Sequence, residues 1–482
     1  LLTHFPTILH SIVLLTINVI SYWLATKWSS WTGDRYPSAS AIPLVPALGV
    51  LGFVSWYHIA NALKANRWQL AADRSWVNLC GVSLILGIIL YLLLPQFVTG
   101  HGFSKGRLIS FGIFQIVFNA IVIAVAAPQR AFNSPALARK LMKRGWFKAL
   151  VLLTALAVTL GTLVSLCELL FLGMNAIRAP GPVKVYEGEY LTQAFSDYDP
   201  DLGKKLLPNA DVLCRLKVDD ETIWDVRYTT DEYGRRTTTH SENPASSQFA
   251  IFFGCSFLFG EGANDNETIP SQFSAAVPQF RAYNYGVPGY GTQHMLAKLE
   301  SGTLRDEVKE QSGVVFYLYL EDVHEPRVIG GMQESNSFAA HFPYYHLRRD
   351  GKLISLGDFT SGRPVLTNLY RLLGHSQTIH YFGLNFPKRS QRHFEIVANI
   401  VEQSRKDCRQ QLGCEEFYVV CFPRKNPHHT LIPLLQARDI KVLDYSELFD
   451  PDAEGLFHNG DGHPTPLANQ QIAEKLAKDI TN

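Results

Sequence analysis

The sequence predicts an α/β protein in three stretches: a five-helix transmembrane region over residues 1–176, a neck with short strands at 177–244, and an exported domain built on a doubly wound parallel sheet at 245–482. Three observations predict it. Five apolar stretches, each near the ~20 residues needed to cross a hydrocarbon core, precede residue 176. Charge is split, with 14 Lys and Arg against 3 Asp and Glu in residues 1–180 and 30 against 40 in the remainder. Beyond residue 245, short apolar runs alternate with helical segments, the pattern of a parallel sheet covered by helices on both faces. The positive charge sits in gaps between apolar runs and forms no basic patch on a folded domain, so nucleic acid is excluded as a partner. With 47% hydrophobic residues, intrinsic disorder is excluded too.

The apolar stretches lie at about 8–25, 42–63, 77–95, 108–127 and 149–174. The first has no basic leader and no small-residue cleavage site, and reads as a retained helix. Orientation follows from the gaps. Arg130, Arg139, Lys140, Lys143, Arg144 and Lys148 crowd the gap after the fourth stretch, and Lys64, Arg67 and Arg74 the gap after the second, which places both in the cytoplasm. An odd number of crossings then puts everything after about residue 176 on the outer, periplasmic side of the cytoplasmic membrane. Within the spans, Glu168 near the outer end of the fifth and His58 in the second are the ionisable groups to weigh. Lipid, and other membrane proteins, are the partners this half predicts.

Of the seven cysteines, Cys80 and Cys167 fall in spans and act as small apolar side chains. Cys408 and Cys414 lie close together just before the strand-like "FYVVCF", and an oxidising compartment predicts a disulfide between them. With no C-x-x-C pair, no zinc or redox motif is present.

From Gly181 to Pro244 the text is polar and punctuated, reading as a neck of two or three short strands. The predicted sheet strands follow: "QFAIFFG", "RAYNYG", "GVVFYLYL", "EFYVVCF" and "IKVLDY". Helices are predicted near 267–276, 291–310, 391–411, 430–437 and 466–479. The irregular stretch at about 325–390 exceeds a plain connection and predicts a lid or substrate-facing insertion. In such sheets ligands bind outside the carboxyl ends of the strands, so the residues there carry the chemistry. After the first strand, "FFGCSFLFGEG" sets Ser256 on a tight turn; after the second, "NYGVPGYG" supplies Gly289 and Gly291; near the end, "GDGHPTPLANQQIAEKL" places Asp461 and His463 on a loop before a helix. Ser, Asp and His in that order give a nucleophile, an orienting carboxylate and a general base.

These blocks resemble the SGNH, or GDSL-type, hydrolases, a family of esterases and acyltransferases, over about residues 245–482. The neck "DPDLG…LLPN…YTTDEYGRR" also resembles what precedes this domain in membrane-anchored bacterial members. The resemblance implies a flavodoxin-like SGNH fold. It also implies Ser256 as nucleophile, His463 as base, Asp461 as its partner and Gly289 as an oxyanion donor, with no cofactor and no metal. Two positions depart from the family pattern. Cys255 stands at the first block's Asp, offering an alternative nucleophile, and Glu321 stands at the oxyanion asparagine, where an ionised carboxylate would repel a developing oxyanion.

Three readings follow. One is a membrane-anchored serine esterase acting on an acyl ester of a glycan or lipid. Another is an O-acyltransferase using the same acyl-enzyme, and the third is a non-catalytic assembly component that keeps the fold, for which Glu321 is the argument. Other residues carry both a chemical and a structural reading. His428 and His429 can bind metal, "FPYYHLRRDGK" can face a glycan or headgroup or form a solvated hairpin, and Arg327 and Arg363 can bind an anion or form salt bridges.

Overall fold

The computed structural model describes residues 182–239, 246–414, 416–425, 427 and 429–481, together with Cys167, Glu168, Phe171 and Met174. The predicted spans, with His58 and Cys80, lie outside these residues but for those four positions in the fifth, and His428 is outside them too. Among the described residues no helix is long and apolar enough to cross a membrane. The chain divides into two units, Leu1–Arg178 with His375–Gly383, and Ala179–Gly374 with Leu384–Asn482.

The second unit begins with the neck. β1 (Lys184–Gly188) is followed by the short antiparallel pair β2 (Ser196–Asp197) and β3 (Lys205–Leu206), then β4 (Asp211–Val218) and β5 (Glu221–Thr229). β1, β4 and β5 make an antiparallel sheet in the order β1-β4-β5. β4 alternates exposed and buried along its length, as a sheet wet on one face requires. The inner face of this sheet, with Cys214 and Leu216 of β4 and Trp224 and Tyr228 of β5, packs onto Phe259, Val287 and Tyr290 of the α/β domain, so neck and domain share a core.

That domain runs β6 (Gln248–Gly254), α1 (Ser256–Phe259), α2 (Ile269–Ala276), β7 (Phe280–Gly286), α3 (Thr292–Glu300), α4 (Leu304–Glu307) and β8 (Gly313–Tyr319). The insertion follows, with α5 (His324–Ile329), α6 (Met332–Ser335), the hairpin β9 (Pro343–Leu347) and β10 (Leu353–Asp358), α7 (Phe359–Gly362), α8 (Pro364–Leu373) and α9 (Gln377–Tyr381). The chain closes with α10 (Gln391–Leu412), β11 (Glu416–Cys421), α11 (Leu431–Gln436), β12 (Lys441–Asp444) and α12 (Pro466–Thr481). The five parallel strands lie in the order β12-β11-β8-β6-β7, the doubly wound arrangement. Successive residues of β6 point to opposite faces. Phe249, Ile251 and Phe253 join Leu296 of α3, Val401 of α10 and Leu435 of α11, while Ala250 and Phe252 join Phe273 of α2 and Ile472 of α12. Burial on both faces explains why the strands read as unbroken apolar runs.

Three expectations need correction. The neck holds five strands where the sequence predicts two or three short ones, and β4 and β5 run to 8 and 9 residues. The helix predicted at 291–310 is two helices, parted where Gly302 takes a left-handed conformation (φ +70°). The expected disulfide is absent: Cys408 and Cys414 are free thiols. The left-handed cap at Gly413 turns the chain back on α10, so the two buried thiols meet as hydrogen-bonding neighbours.

In the first unit, the Glu168 carboxylate accepts hydrogen bonds from Ser376 Oγ (2.6 Å) and from the backbone N–H groups of Gln377 (2.5 Å) and Thr378 (3.4 Å), at the start of α9. The Phe171 ring packs on Tyr381 and Phe382 at centroid distances of 4.8 and 5.1 Å.

Candidate active site

β6 ends at the switch point of the sheet, with β7 on one side and β8 on the other. Gly254 closes it because a Cβ there would lie 2.8 Å from Leu258 Cβ. Cys255 continues extended as the N-cap of α1, and Ser256 is that helix's first residue. The turn sends the two candidate nucleophiles into different surroundings. Cys255 is fully buried in the apolar cluster with Leu258 and Phe273, whereas Ser256 faces the loop that carries His463.

That loop is tight. Gly460 and Gly462 adopt φ of +74° and +86°, and the His458 N–H donates to the His463 carbonyl at 2.9 Å. It brings His463 Nε2 to 2.9 Å from Ser256 Oγ. On the other side of the ring, Nδ1 hydrogen-bonds Asp461 Oδ2, which also accepts the His463 backbone N–H at 3.3 Å. The structure therefore joins Ser256, His463 and Asp461, three residues drawn from two strand-end loops 207 positions apart.

Groups unmarked in the sequence complete the surroundings. Lys184 of β1 places Nζ 3.0 Å from Asp461 Oδ1, a carboxylate whose side chain is only 2% exposed. Glu261, buried just after α1, has Oε2 3.5 Å from His463 Nε2, and its Oε1 accepts the Tyr186 hydroxyl of β1 at 3.1 Å. Trp224 of β5 meets the His463 ring edge-on at 6.1 Å, and Phe257 lies 5.3 Å from it on another side. Burial disfavours the imidazolium. The hydrogen bond that His463 donates to Asp461 and the charges of Glu261 and Asp461 outweigh that, and His463 is raised above its ordinary value while Lys184 pulls it back. For Asp461, burial pushes upward, but the hydrogen bond and charge of His463 and the charge of Lys184 bring it below the usual carboxylate range.

Gly289 stands past the end of β7 with φ +94°, and a Cβ on it would come within 2.8 Å of Phe338 Cζ. The insertion thus reaches the Gly289 loop through Phe338, a ring 56% exposed. Glu321, past the end of β8, lines a narrow cleft with Cys421, Arg424, His429 and Ser446 at the ends of β11 and β12. Neither Ser256, Gly289 nor His463 lines that cleft. Its neighbour Asp322 takes a left-handed conformation (φ +67°) and pairs with Arg389, and with Arg424 at 3.3 Å.

Solved structures similar to this chain include two members of the lipolytic G-D-S-L family and an acetyl xylan esterase. A lipolytic protein of the G-D-S-L family from Desulfitobacterium hafniense is 14% identical, with 48% of this chain and 98% of that one covered and a TM-score of 0.26. Another G-D-S-L member, from Veillonella parvula, is 13% identical over 49% and 99%, at 0.29. An acetyl xylan esterase from Butyrivibrio proteoclasticus is 10% identical over 62% and 98%, at 0.30. No family model and no curated protein matches the chain.

The remaining candidates are engaged by the protein itself. Arg327 donates from Nη1 to the Tyr290 carbonyl at 2.6 Å, and Arg363 donates to the Gly330 carbonyl and stacks 4.3 Å over Phe359. His429 lies 3.4 Å from Asp444. "FPYYHLRRDGK" forms the β9–β10 hairpin, with Tyr345 buried and donating to Glu300 at 2.6 Å.

Proposed function

We propose that the protein is a membrane-anchored serine esterase whose α/β domain, outside the cytoplasmic membrane, hydrolyses an acyl ester of a glycan or lipid. One observation carries the reading: the continuous line from Ser256 Oγ through both nitrogens of His463 to Asp461. Ser256 Oγ attacks the ester carbonyl as its proton passes to Nε2, and the N–H groups of Ser256 and Gly289 receive the oxyanion. Collapse breaks the bond to the alcohol, which leaves with the proton from Nε2. Water then attacks the acyl-enzyme by the same route, releasing the acid and restoring Ser256. Asp461 holds the tautomer with Nδ1 protonated. No step calls on a metal or organic cofactor. Transfer to a sugar hydroxyl differs only in the acceptor of the second half.

The test is labelling of the detergent-solubilised protein with a fluorophosphonate. Stoichiometric labelling at Ser256, lost in Ser256→Ala and His463→Ala, is expected. Absence of labelling across a pH series from about 6 to 9, which runs well above the ordinary histidine value, refutes the reading.

A further inference from the structure

A helix packed on a domain should bury its apolar stripe and show water its polar one. α8 does the reverse. Its inward side carries Thr367, whose hydroxyl donates to the Phe359 carbonyl at 2.5 Å; Tyr370, whose carbonyl accepts from Asn336 Nδ2 at 3.0 Å; and Arg371, which donates to the Ser335 carbonyl at 3.2 Å. Its outward side is Val365, Leu369 and Leu372, at the three- and four-residue spacing of one helical face, with Leu366 beside them. These are 84%, 48% and 60% exposed, and Leu366 is 37% exposed. The inward contacts are specific hydrogen bonds, so the helix is held in this rotation by its polar side.

The chain itself indicates what covers such a face. Three residues after α8 it enters α9, and there Glu168 and Phe171, near the end of the fifth predicted span, hold the helix start and the rings of Tyr381 and Phe382. Aromatic side chains next to a span end are characteristic of the headgroup level of a bilayer. An amphipathic helix covalently continuous with that level, apolar outward, presents the face that a helix in the interface plane buries at the headgroup and acyl boundary.

We propose that α8 is an interfacial helix whose outward stripe of Val365, Leu369 and Leu372 sits in the outer leaflet of the membrane that anchors the chain. The inference rests on the anchored reading above but not on catalysis. It deepens that reading, because Phe338 beside Gly289 belongs to the same insertion. The insertion that touches the candidate site thereby also touches lipid, which favours a membrane-borne ester as substrate.

The test uses the full chain in vesicles of phosphatidylethanolamine and phosphatidylglycerol. Nitroxides are attached in Val365→Cys, Leu369→Cys and Leu372→Cys, and in Asp350→Cys at the exposed hairpin turn, with the unsubstituted protein giving the background from native thiols. Flotation after an alkaline wash checks anchoring. The expected result is flotation, with labels at 365, 369 and 372 more accessible to oxygen than to a water-soluble nickel chelate, and the reverse at 350. Failure to float overturns the anchored reading and this inference with it. Flotation with the three labels as open to the nickel chelate as position 350 overturns this inference alone. So does shielding from both reagents, which would mean that the apolar N-terminal segments or a second copy covers the face.

Discussion

Replacing Lys184 with methionine removes the cation 3.0 Å from Asp461 Oδ1 and keeps an unbranched stem of similar length. The ammonium lies across the carboxylate from the imidazole. At a separation of roughly 6 Å, a unit charge contributes about 3 kcal/mol at an effective dielectric of 20 and about 0.7 kcal/mol in bulk water. The Lys184 side chain is 39% exposed, so solvent screening moves the effect toward the lower figure. The sign follows from the base's working form. His463 must be neutral to accept the Ser256 proton, and the nearby cation disfavours its protonation. Losing that cation therefore raises its pKa, and the acid limb of kcat/KM moves to higher pH. The other groups facing the ring, Asp461, Glu261, Ser256 and His458, stay in place. The assay is the second-order rate of fluorophosphonate labelling against pH in Lys184→Met, with Lys184→Arg expected to restore the limb. A plateau that falls while the limb stays put, or moves to lower pH, makes Lys184 a packing residue and refutes the argument.

Glu261→Gln should move the same limb the opposite way, to lower pH, because its carboxylate favours the imidazolium; the labelling profile checks it. Gly289→Ala puts a Cβ on a left-handed residue and within 2.8 Å of Phe338, and if its N–H serves the oxyanion, labelling should slow by about 10²- to 10³-fold. Cys255→Ala should keep labelling at Ser256 and lower stability by about 1 kcal/mol in thermal unfolding, since this thiol is only packing. Glu325, fully buried and accepting the Tyr319 hydroxyl, is pushed up to about 7 by burial, so the folded state binds a proton that the unfolded chain releases. Stability should therefore fall as pH rises from the ordinary carboxyl range to about 7. Unfolding midpoints of Glu325→Gln should show that fall abolished.

What was legible in the sequence is what local chemistry marks. Ser256, Asp461 and His463 each follow a strand or sit before a helix with Pro and Gly punctuation, so strand ends could be counted and the loops matched. The unbroken apolar runs announced a sheet covered on both faces. Lys184 was illegible, being 277 positions from Asp461 in a polar neck where any lysine reads as solvated. Trp224 and Tyr186 looked like ordinary strand residues for the same reason. Glu261 was visible as an acid in an apolar run, but its meaning needs the distance to Nε2. The spacing of Cys408 and Cys414 correctly brought the thiols together, yet proximity alone does not make a disulfide, and here the thiols hydrogen-bond instead.

The neck has a chemical reason to be part of the site. Around His463 stand two carboxylates, Asp461 on Nδ1 and Glu261 on the Nε2 side, both buried. Both favour the imidazolium, against the burial that disfavours it, and so work against the neutral ring that a general base needs. Lys184 offsets one of them. With imidazolium, two carboxylates and one ammonium the cluster is formally neutral; with imidazole it is −1. Proton transfer from Ser256 makes these four groups neutral as the negative charge passes to the oxyanion, where the backbone N–H groups would receive it. The base still remains available between turnovers. A strand-end loop can supply the two carboxylates from its own surroundings, but the compensating cation must come from across the cleft. In this fold the edge of the neck sheet reaches it.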